Sequence, residues 1–272
     1  MRKYGLVTGS RSEYGLLRTL IKRINNSKNI DLKIIVTGSH LSKFHGETYK
    51  EIMKDGLNIS KKIFLPIKKN NTKIDTTKFT GIAISKFADT FNNLKLDLVI
   101  ILGDRYEIFA AAFSAMNLNI PVAHIHGGEK TLGSNDENMR HSITKLSNWH
   151  FVSTNVYKKR VIQLGENPKN VHYIGGMAYE AIKNEKLLSK KNFEKKIKFN
   201  LRKNNFLISY HPETNNKNFD IKPFVNILNS IRKIKNSTFI FSLSNADAGS
   251  GIINERIVNF VKKNKINSIF FD

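Results

Sequence analysis

Residues 100–107 read I-I-L-G-D-R-Y-E, and residues 119–129 read N-I-P-V-A-H-I-H-G-G-E. Each stretch joins a short apolar run, typical of a strand buried in a parallel sheet, to glycine and ionisable side chains. Asp104 follows the first run and Glu129 follows the second. Because ligands of open parallel sheets bind beyond the carboxyl ends of the strands, these stretches predict an α/β fold with an active site at one edge of its sheet.

Strands and helices are predicted to alternate along the whole chain, strands from apolar runs and helices from apolar residues three and four apart. The predicted strands are residues 4–8, 32–37, 61–65, 96–102, 122–125, 150–153, 171–174, 206–210, 238–243 and 268–271. The predicted helices are residues 13–25, 79–94, 106–116, 137–146, 157–164, 223–234 and 252–263, the first with Ser12 as its N-cap. This alternation indicates right-handed βαβ units and a doubly wound sheet.

The pattern divides the chain into two halves. Residues 178–203 form a basic, helix-prone stretch with weak apolar periodicity, after which strands and helices begin again. Two Rossmann-like domains are therefore expected, an N-terminal one over residues 1–176 and a C-terminal one over residues 177–272. The second half ends on its third predicted strand, so the C-terminal domain is expected to be incomplete.

The composition excludes several classes of protein. Hydrophobic residues make up 40% and aromatic residues 10% of the chain, which is typical of a folded protein. Cysteine is absent, which excludes disulfides, zinc–thiolate sites and thiol nucleophiles. The sequence shows neither a signal-peptide apolar region nor an apolar run of about 18 residues, so a cytoplasmic protein without a membrane partner is expected.

The net charge of +23 raises the question of nucleic-acid binding. The basic residues are mostly lysines in predicted loops and on helix faces, without the interleaved aromatic residues that stack on bases. A small polyanionic substrate such as a sugar nucleotide agrees with the charge at least as well. Nucleic acid is therefore not expected as a partner.

A polar loop, Gly9-Ser10-Arg11-Ser12, follows the first predicted strand. It lacks the G-x-G-x-x-G pattern of dinucleotide-binding proteins. The free N–H groups of the following helix and the Arg11 guanidinium both favour a phosphate group. The alternative is a polar turn with Arg11 in solvent.

The ionisable residues at the strand ends each have a structural alternative. Asp104 could cap the helix that begins at Tyr106, or it could form a site together with Arg105. Asp136 and Arg140 are four residues apart and could simply pair along one helix face. The functional alternative is a set of carboxylates near an arginine, of which one accepts and another donates a proton.

His124 and His126 share one face of a predicted strand. His124 is expected to be a hydrogen-bonded core histidine, whereas His126 enters a glycine-rich loop where a ligand can approach the backbone. The spacing H-x-H also occurs among metal ligands, with Glu129 or Asp136 as a carboxylate partner. A metal-dependent hydrolase is therefore an alternative.

Six motifs occur in the order seen in one enzyme family. They are V-T-G-S-R-S-E-Y-G (7–15), L-G-D-R-Y-E (102–107), A-H-I-H-G-G-E-K-T (123–131), M-R-H-S-I-T-K-L-S (139–147), Y-H-P-E-T (210–214) and S-N-A-D-A-G-S (244–250). On these residues the chain resembles the hydrolysing UDP-N-acetylglucosamine 2-epimerases. The resemblance is greatest to the bacterial branch that makes N-acetylmannosamine for sialic acid, or to its legionaminic-acid relatives.

The resemblance implies a fold of the glycosyltransferase-B type, with the substrate between two Rossmann-like domains and with no metal and no cofactor. It implies chemistry in two steps: UDP leaves as the C2 proton is lost, giving a glycal, and water then adds while C2 is protonated on the opposite face. Relatives continue beyond residue 272, so the resemblance leaves the full activity of this form open.

By position within the motifs, the resemblance assigns acid–base catalysis to Asp104, Glu129 and Asp136, with Arg140 orienting them. Many relatives carry glutamate where this chain has His126, so His126 is also a catalytic candidate. The residues assigned to UDP are Arg11, Arg105, His211 and Asn245.

Two further alternatives stay open within this resemblance. One is a legionaminic-branch 2-epimerase that acts on a nucleotide-linked diacetamido-dideoxyhexose. The other is a truncated, non-catalytic relative that binds nucleotide. A homo-oligomer, either a dimer or a tetramer, is expected, with helices of the N-terminal domain as the contact face.

Overall fold

A computed structural model describes residues 1–68, 70–184, 186–212, 220–244 and 249–271. The chain divides into two units, of which the first comprises Met1–Ile67 and Lys73–Asn184 and the second comprises Lys68–Thr72 and Glu185–Asp272. The helix Met177–Asn184, which the sequence places in the second domain, contacts the first helix of the chain and belongs to the first unit.

The first unit is built on a parallel sheet of seven strands. They are β1 (Arg2–Thr8), β2 (Ile30–Val36), β3 (Ile59–Lys62), β4 (Leu98–Leu102), β5 (Val122–Ile125), β6 (Trp149–Val152) and β7 (Val171–Tyr173). Their order is β3-β2-β1-β4-β5-β6-β7, with Leu6 of β1 between Ile34 of β2 and Ile100 of β4. The order reverses between β1 and β4, which is where doubly wound sheets bind their ligands.

Helices lie on both faces of this sheet and complete its core. They are α1 (Arg11–Asn25), α2 (Tyr49–Lys54), α3 (Lys73–Leu94), α4 (Tyr106–Asn117), α5 (Asp136–Lys145), α6 (Asn155–Gln163) and α7 (Met177–Asn184). Phe87 of α3 packs with Ile101 on one face, and Leu17 of α1 packs with Ile100 on the other. Neighbouring strand residues point to opposite faces, so one apolar strand supplies both layers.

Helix α1 begins earlier than the sequence predicts. Its N-cap is Ser10 rather than Ser12, and the Ser10 hydroxyl accepts a hydrogen bond from the Glu13 N–H. Glu13 Oε2 in turn accepts the Gly9 N–H at 2.7 Å. This reciprocal pattern, Ser-x-x-Glu, is a variant of the capping box, and it makes Arg11 the first helical residue.

A groove of about 1090 Å³ remains on the α1 side of the sheet. Its floor consists of apolar strand residues, and α1 and α7 contribute to its walls. Trp149 in the groove is 43% exposed, which is high for a tryptophan of a sheet that is otherwise covered by helices. The floor residues include Leu98, Ile100, Ala123, Ile125 and Phe151.

The second unit repeats the α/β pattern on a smaller scale. Its parallel strands are β8 (Asn204–Ser209), β9 (Ser237–Ser242) and β10 (Ser268–Phe271), in the order β10-β9-β8. Its helices are α8 (Lys190–Ile197), α9 (Lys222–Ile231) and α10 (Ser250–Lys263). Helices α9 and α10 pack a phenylalanine-rich core against the strands. The predicted α/β fold class is confirmed. Among the helices that the structure describes, none is long and apolar enough to cross a membrane.

Candidate active site

Arg140 connects the residues at the carboxyl ends of β4 and β5. It lies in the second turn of α5 and is 4% exposed. Its guanidinium donates to the Asp104 carboxylate, to the Glu129 carbonyl at 2.8 Å and to the Thr131 hydroxyl at 3.0 Å. We call Asp104, His126, Glu129, Arg140 and Ser153 the carboxylate cluster.

Asp104 is oriented by Arg140 and not by the helix that follows it. The N-cap of α4 is Arg105, which makes no capping hydrogen bond through its side chain. The capping alternative for Asp104 is therefore wrong. A planar guanidinium paired with a carboxylate at low exposure gives a strong, directional contact, so the position of Asp104 is well fixed.

Glu129 is held through one of its two carboxylate oxygens. Glu129 Oε1 accepts the Ser153 hydroxyl at 2.8 Å and lies 3.4 Å from His126 Nδ1. The side chain is 30% exposed, so it remains reachable from solvent. Ser153 was not among the predicted site residues, although it directly follows β6 and the strand-end rule would have found it.

His126 is a neutral histidine in a left-handed turn, with φ at 66°. Burial lowers its pKa below the ordinary value, and Arg140 adds to this effect while Glu129 and Asp104 oppose it. Its Nε2 accepts the Met177 N–H at 3.4 Å. We therefore assign the ring proton to Nδ1, which faces Glu129.

His124 is the predicted core histidine. It is fully buried, its Nε2 donates to the Gly103 carbonyl at 2.8 Å, and its Nδ1 lies 3.3 Å from the Thr144 hydroxyl. Burial lowers its pKa to about 3. His124 is thus a fully buried side chain whose Nε2 proton is given to Gly103, which is the arrangement of a core histidine. Within the described residues, no group of three or more His, Asp or Glu side chains is placed to hold a metal ion.

Asp136 begins the helix that carries Arg140, about one turn before it. It is the first residue of α5, and its N–H donates to the Ser134 hydroxyl at 3.1 Å. The ion pair that the structure gives Arg140 is with Asp104, at the end of β4.

A second cluster of ionisable residues lies at the switch point between β1 and β4. It consists of Glu13, Arg105 and Glu107, which we call the buried triad. Arg105 Nε donates to Glu107 Oε1 at 2.8 Å and lies 3.8 Å from Glu13 Oε1. Burial, and then the Glu107 carboxylate, raise the pKa of Glu13 to about 8, against the opposing effect of Arg105. The triad therefore carries a proton at neutral pH.

Comparison with known protein families identifies the family of this chain. The model of the UDP-N-acetylglucosamine 2-epimerase family matches residues 22–269. The chain belongs to this family.

Three relatives align with most of this chain. The GDP/UDP-N,N'-diacetylbacillosamine 2-epimerase (hydrolyzing) of Campylobacter jejuni is 44% identical, over 100% of this chain and 70% of its own length. The polysialic acid biosynthesis protein P7 of Escherichia coli is 42% identical, over 97% and 68%. The UDP-N,N'-diacetylbacillosamine 2-epimerase (hydrolyzing) of Legionella pneumophila is 35% identical, over 96% and 68%.

Solved structures of 2-epimerases share the fold. The UDP-GlcNAc 2-epimerase of Neisseria meningitidis, bound to UDP-GlcNAc, has a TM-score of 0.77 at 21% identity over 99% of this chain and 72% of its own. The Methanocaldococcus jannaschii enzyme, in complex with UDP-GlcNAc and UDP, has a TM-score of 0.76 at 21% identity over 99% and 73%.

The four residues expected to bind UDP differ in exposure and in surroundings. Arg11 is exposed at the start of α1 and makes no ion pair with any described residue. Arg105 belongs to the buried triad, with its side chain 12% exposed. His211 is exposed in the second unit, with Nε2 3.3 Å from the Ser209 hydroxyl. Asn245 lies outside the described residues, and the four assignments remain predictions.

Gly128 lies in the turn that carries Glu129, and its replacement by alanine should destabilise the protein. Its φ is 76°, and an added Cβ would lie 2.7 Å from both the Tyr157 carbonyl oxygen and a Val161 methyl group. We expect Gly128→Ala to lower the free energy of unfolding by about 2 kcal/mol or more. Urea unfolding would measure this loss.

Gly15→Ala is the matched control for this experiment. Gly15 lies within α1 with nothing within 4 Å of its added Cβ. Alanine there should raise the free energy of unfolding by about 0.5–1 kcal/mol. Equal effects of the two substitutions would contradict the packing argument for Gly128.

Proposed function

We propose that the chain catalyses the hydrolytic 2-epimerisation of a UDP-linked 2-acetamido sugar, releasing UDP and the free sugar inverted at C2. The observation that carries this proposal is the carboxylate cluster. In it, Arg140 fixes the Asp104 carboxylate and the backbone of Glu129 at adjacent strand ends. Membership of the 2-epimerase family supports the reaction type.

The reaction requires proton transfer on both faces of the sugar. A base removes the C2 proton while the C1–oxygen bond breaks towards UDP, which leaves a C1–C2 double bond. Water then adds at C1, and an acid returns a proton to C2 on the opposite face. Asp104 and Glu129 are the proposed carboxylates for these two steps, because both are fixed yet not fully buried. Asp136 is proposed as a third acid–base residue.

His126 is proposed to act beside Glu129 as a neutral hydrogen-bond donor. Its Nδ1 proton faces Glu129 Oε1, and its Nε2 accepts the Met177 N–H. Burial lowers the pKa of the ring, so this donor stays uncharged near neutral pH.

The pyrophosphate of UDP is proposed to lie at the start of α1. Arg11 is the exposed cation there, and the helix dipole favours an anion. One N–H of the loop, that of Gly9, is already taken by Glu13. His211 and Asn245 are proposed for the nucleotide, and a homo-oligomer is the proposed assembly.

For the sugar, we propose UDP-N,N'-diacetylbacillosamine as the first candidate. Two relatives, at 44% and 35% identity, carry that sugar in their names. UDP-N-acetylglucosamine, for sialic acid biosynthesis, is the second candidate. It is supported by the 42% identity to a polysialic acid biosynthesis protein and by the 34% identity to a UDP-N-acetylglucosamine 2-epimerase.

Asp104→Asn tests the reaction. With each of the two UDP-sugars, the wild-type protein should release UDP, and the substitution should lower kcat about 100- to 10,000-fold because amide replaces carboxylate. UDP release and the appearance of the free sugar are the measurements.

Asp97→Asn is the control, since Asp97 precedes β4 and accepts the Lys3 N–H at 2.7 Å, at the opposite edge of the sheet. It should turn over like the wild type. The proposed function fails if the wild-type protein releases UDP from neither sugar. The role of Asp104 fails if its substitution leaves kcat unchanged.

A further inference from the structure

We infer that Ser153 is a positioning residue, which selects the Glu129 oxygen that takes part in proton transfer. This inference rests on the proposed function of Glu129 and extends it to a residue outside the motifs. Ser153 Oγ lies 2.8 Å from Glu129 Oε1, and His126 Nδ1 lies 3.4 Å from the same oxygen. Both donors therefore converge on Oε1. Oε2 has no hydrogen-bond partner among the described residues.

The two oxygens of Glu129 are thus chemically different. An oxygen that already accepts hydrogen bonds is a weaker proton acceptor than one that does not. The geometry directs the proton of the substrate to Oε2 and leaves Oε1 as the anchor. A carboxylate without such an anchor rotates about its last bond, and its two oxygens exchange places.

The support for this anchor comes from strand β6. The His126 N–H donates to the Phe151 carbonyl at 2.8 Å, and Ser153 follows two residues later. The end of β6 therefore fixes the backbone of His126 and the carboxylate of Glu129 together. The neighbouring Thr154 has a different task, since its hydroxyl caps α6 by accepting the Tyr157 N–H.

Ser153→Ala should lower kcat about 10- to 100-fold, because a catalytic group displaced by a fraction of an ångström loses this much rate. KM should stay within about twofold, since the anchor does not bind the substrate. Ser153→Thr keeps the hydroxyl and should recover most of the lost kcat. A purely structural role would lower stability and would not split kcat from KM.

Ser142→Ala is the matched control. The Ser142 hydroxyl donates to the Asn138 carbonyl on the exposed side of α5, outside the carboxylate cluster. Its removal should leave kcat, KM and the free energy of unfolding unchanged. The inference is overturned if Ser153→Ala has the kcat of the wild type, or if Ser153→Thr is as slow as Ser153→Ala.

A crystal structure of Ser153→Ala provides a readout that does not depend on turnover. The Glu129 carboxylate should turn away from its wild-type orientation or occupy several orientations, whereas it should be unchanged in Ser142→Ala. An unchanged carboxylate in Ser153→Ala overturns the inference. If the wild-type protein hydrolyses neither UDP-sugar, the proposed function fails, and the crystal structures alone decide whether Ser153 anchors Glu129.

Discussion

Arg140→Met is expected to lower turnover by at least about 100- to 1,000-fold and the free energy of unfolding by about 3–5 kcal/mol. The Arg140 guanidinium is buried and satisfies the Asp104 carboxylate, the Glu129 carbonyl and the Thr131 hydroxyl. Methionine fills a similar volume but leaves all three acceptors without their donor. The large cost arises because a partly buried carboxylate loses its counter-charge.

Arg23→Met is the control for this substitution. Arg23 lies 3.3 Å from Glu180, but its side chain is 74% exposed, so the pair should contribute at most about 1 kcal/mol. Urea unfolding of the two variants compares the same chemical change in buried and exposed settings. A loss for Arg140→Met as small as that for Arg23→Met would contradict the central role of Arg140.

Arg140→Lys separates charge from geometry. Lysine keeps the positive charge but cannot present the planar fork that reaches three acceptors at once. We expect it to recover part of the stability and little of the turnover. Full recovery of turnover would show that Arg140 acts only as a charge.

Glu13→Gln is expected to remove the loss of stability that the wild type shows as the pH rises towards 8. The pKa of Glu13 is raised from 4.5 to about 8 in the folded protein. The folded state therefore holds a proton that the unfolded state releases. The contribution of Glu13 to stability is complete below pH 4.5 and is lost as the pH rises through about 8. The slope is at most about 1.4 kcal/mol per pH unit.

Two buried histidines make the free energy of unfolding fall as the pH is lowered. Burial lowers the pKa of His40 to about 4 and that of His124 to about 3, from 6.5. Their contributions are present above pH 6.5 and are lost as the pH falls through the lowered values. These groups alone place the greatest stability of the wild type near pH 6.5, between the two opposing slopes.

Urea unfolding at a series of pH values from about 5 to about 9 measures both slopes. Glu13→Gln should flatten the alkaline slope and make the acid slope steeper, because Glu13 opposes the two histidines between pH 4.5 and 6.5. Glu51→Gln, an equivalent change at an exposed position of α2, should leave both slopes as in the wild type. An unchanged alkaline slope in Glu13→Gln would show that the buried triad is fully ionised at neutral pH.

Much of the fold could be predicted from apolar patterns alone. Each predicted strand overlaps a strand of the structure. The central strands β4 and β5 are buried on both faces and are short apolar runs bounded by polar residues. Helix α2 was missed because six residues are too few to show a helical period. The start of α1 was placed too late because Ser10 and Ser12 are both suitable caps, and the sequence does not show that Glu13 pairs with Ser10.

The candidate site could be predicted in its location but not in its pairings. The strand-end rule placed Asp104 and Glu129 at one edge of the sheet. The partner of Arg140 is Asp104, 36 residues away, whereas helical spacing favoured Asp136. Pairing across the sheet depends on tertiary packing, which a local pattern does not contain. For the same reason, a local pattern does not show that Glu13 and Glu107 are buried together. Their burial follows from the packing of α1 and α4 at the switch point.

The left-handed turn at His126 determines which replacements of that histidine can be interpreted. A positive φ is tolerated by asparagine and is strongly disfavoured for β-branched residues. His126→Asn would therefore remove the imidazole while keeping the main chain relaxed. His126→Val would mix the loss of the ring with a distortion of the loop that carries Glu129. The backbone conformation at position 126 therefore decides which replacements report on the loss of the imidazole alone.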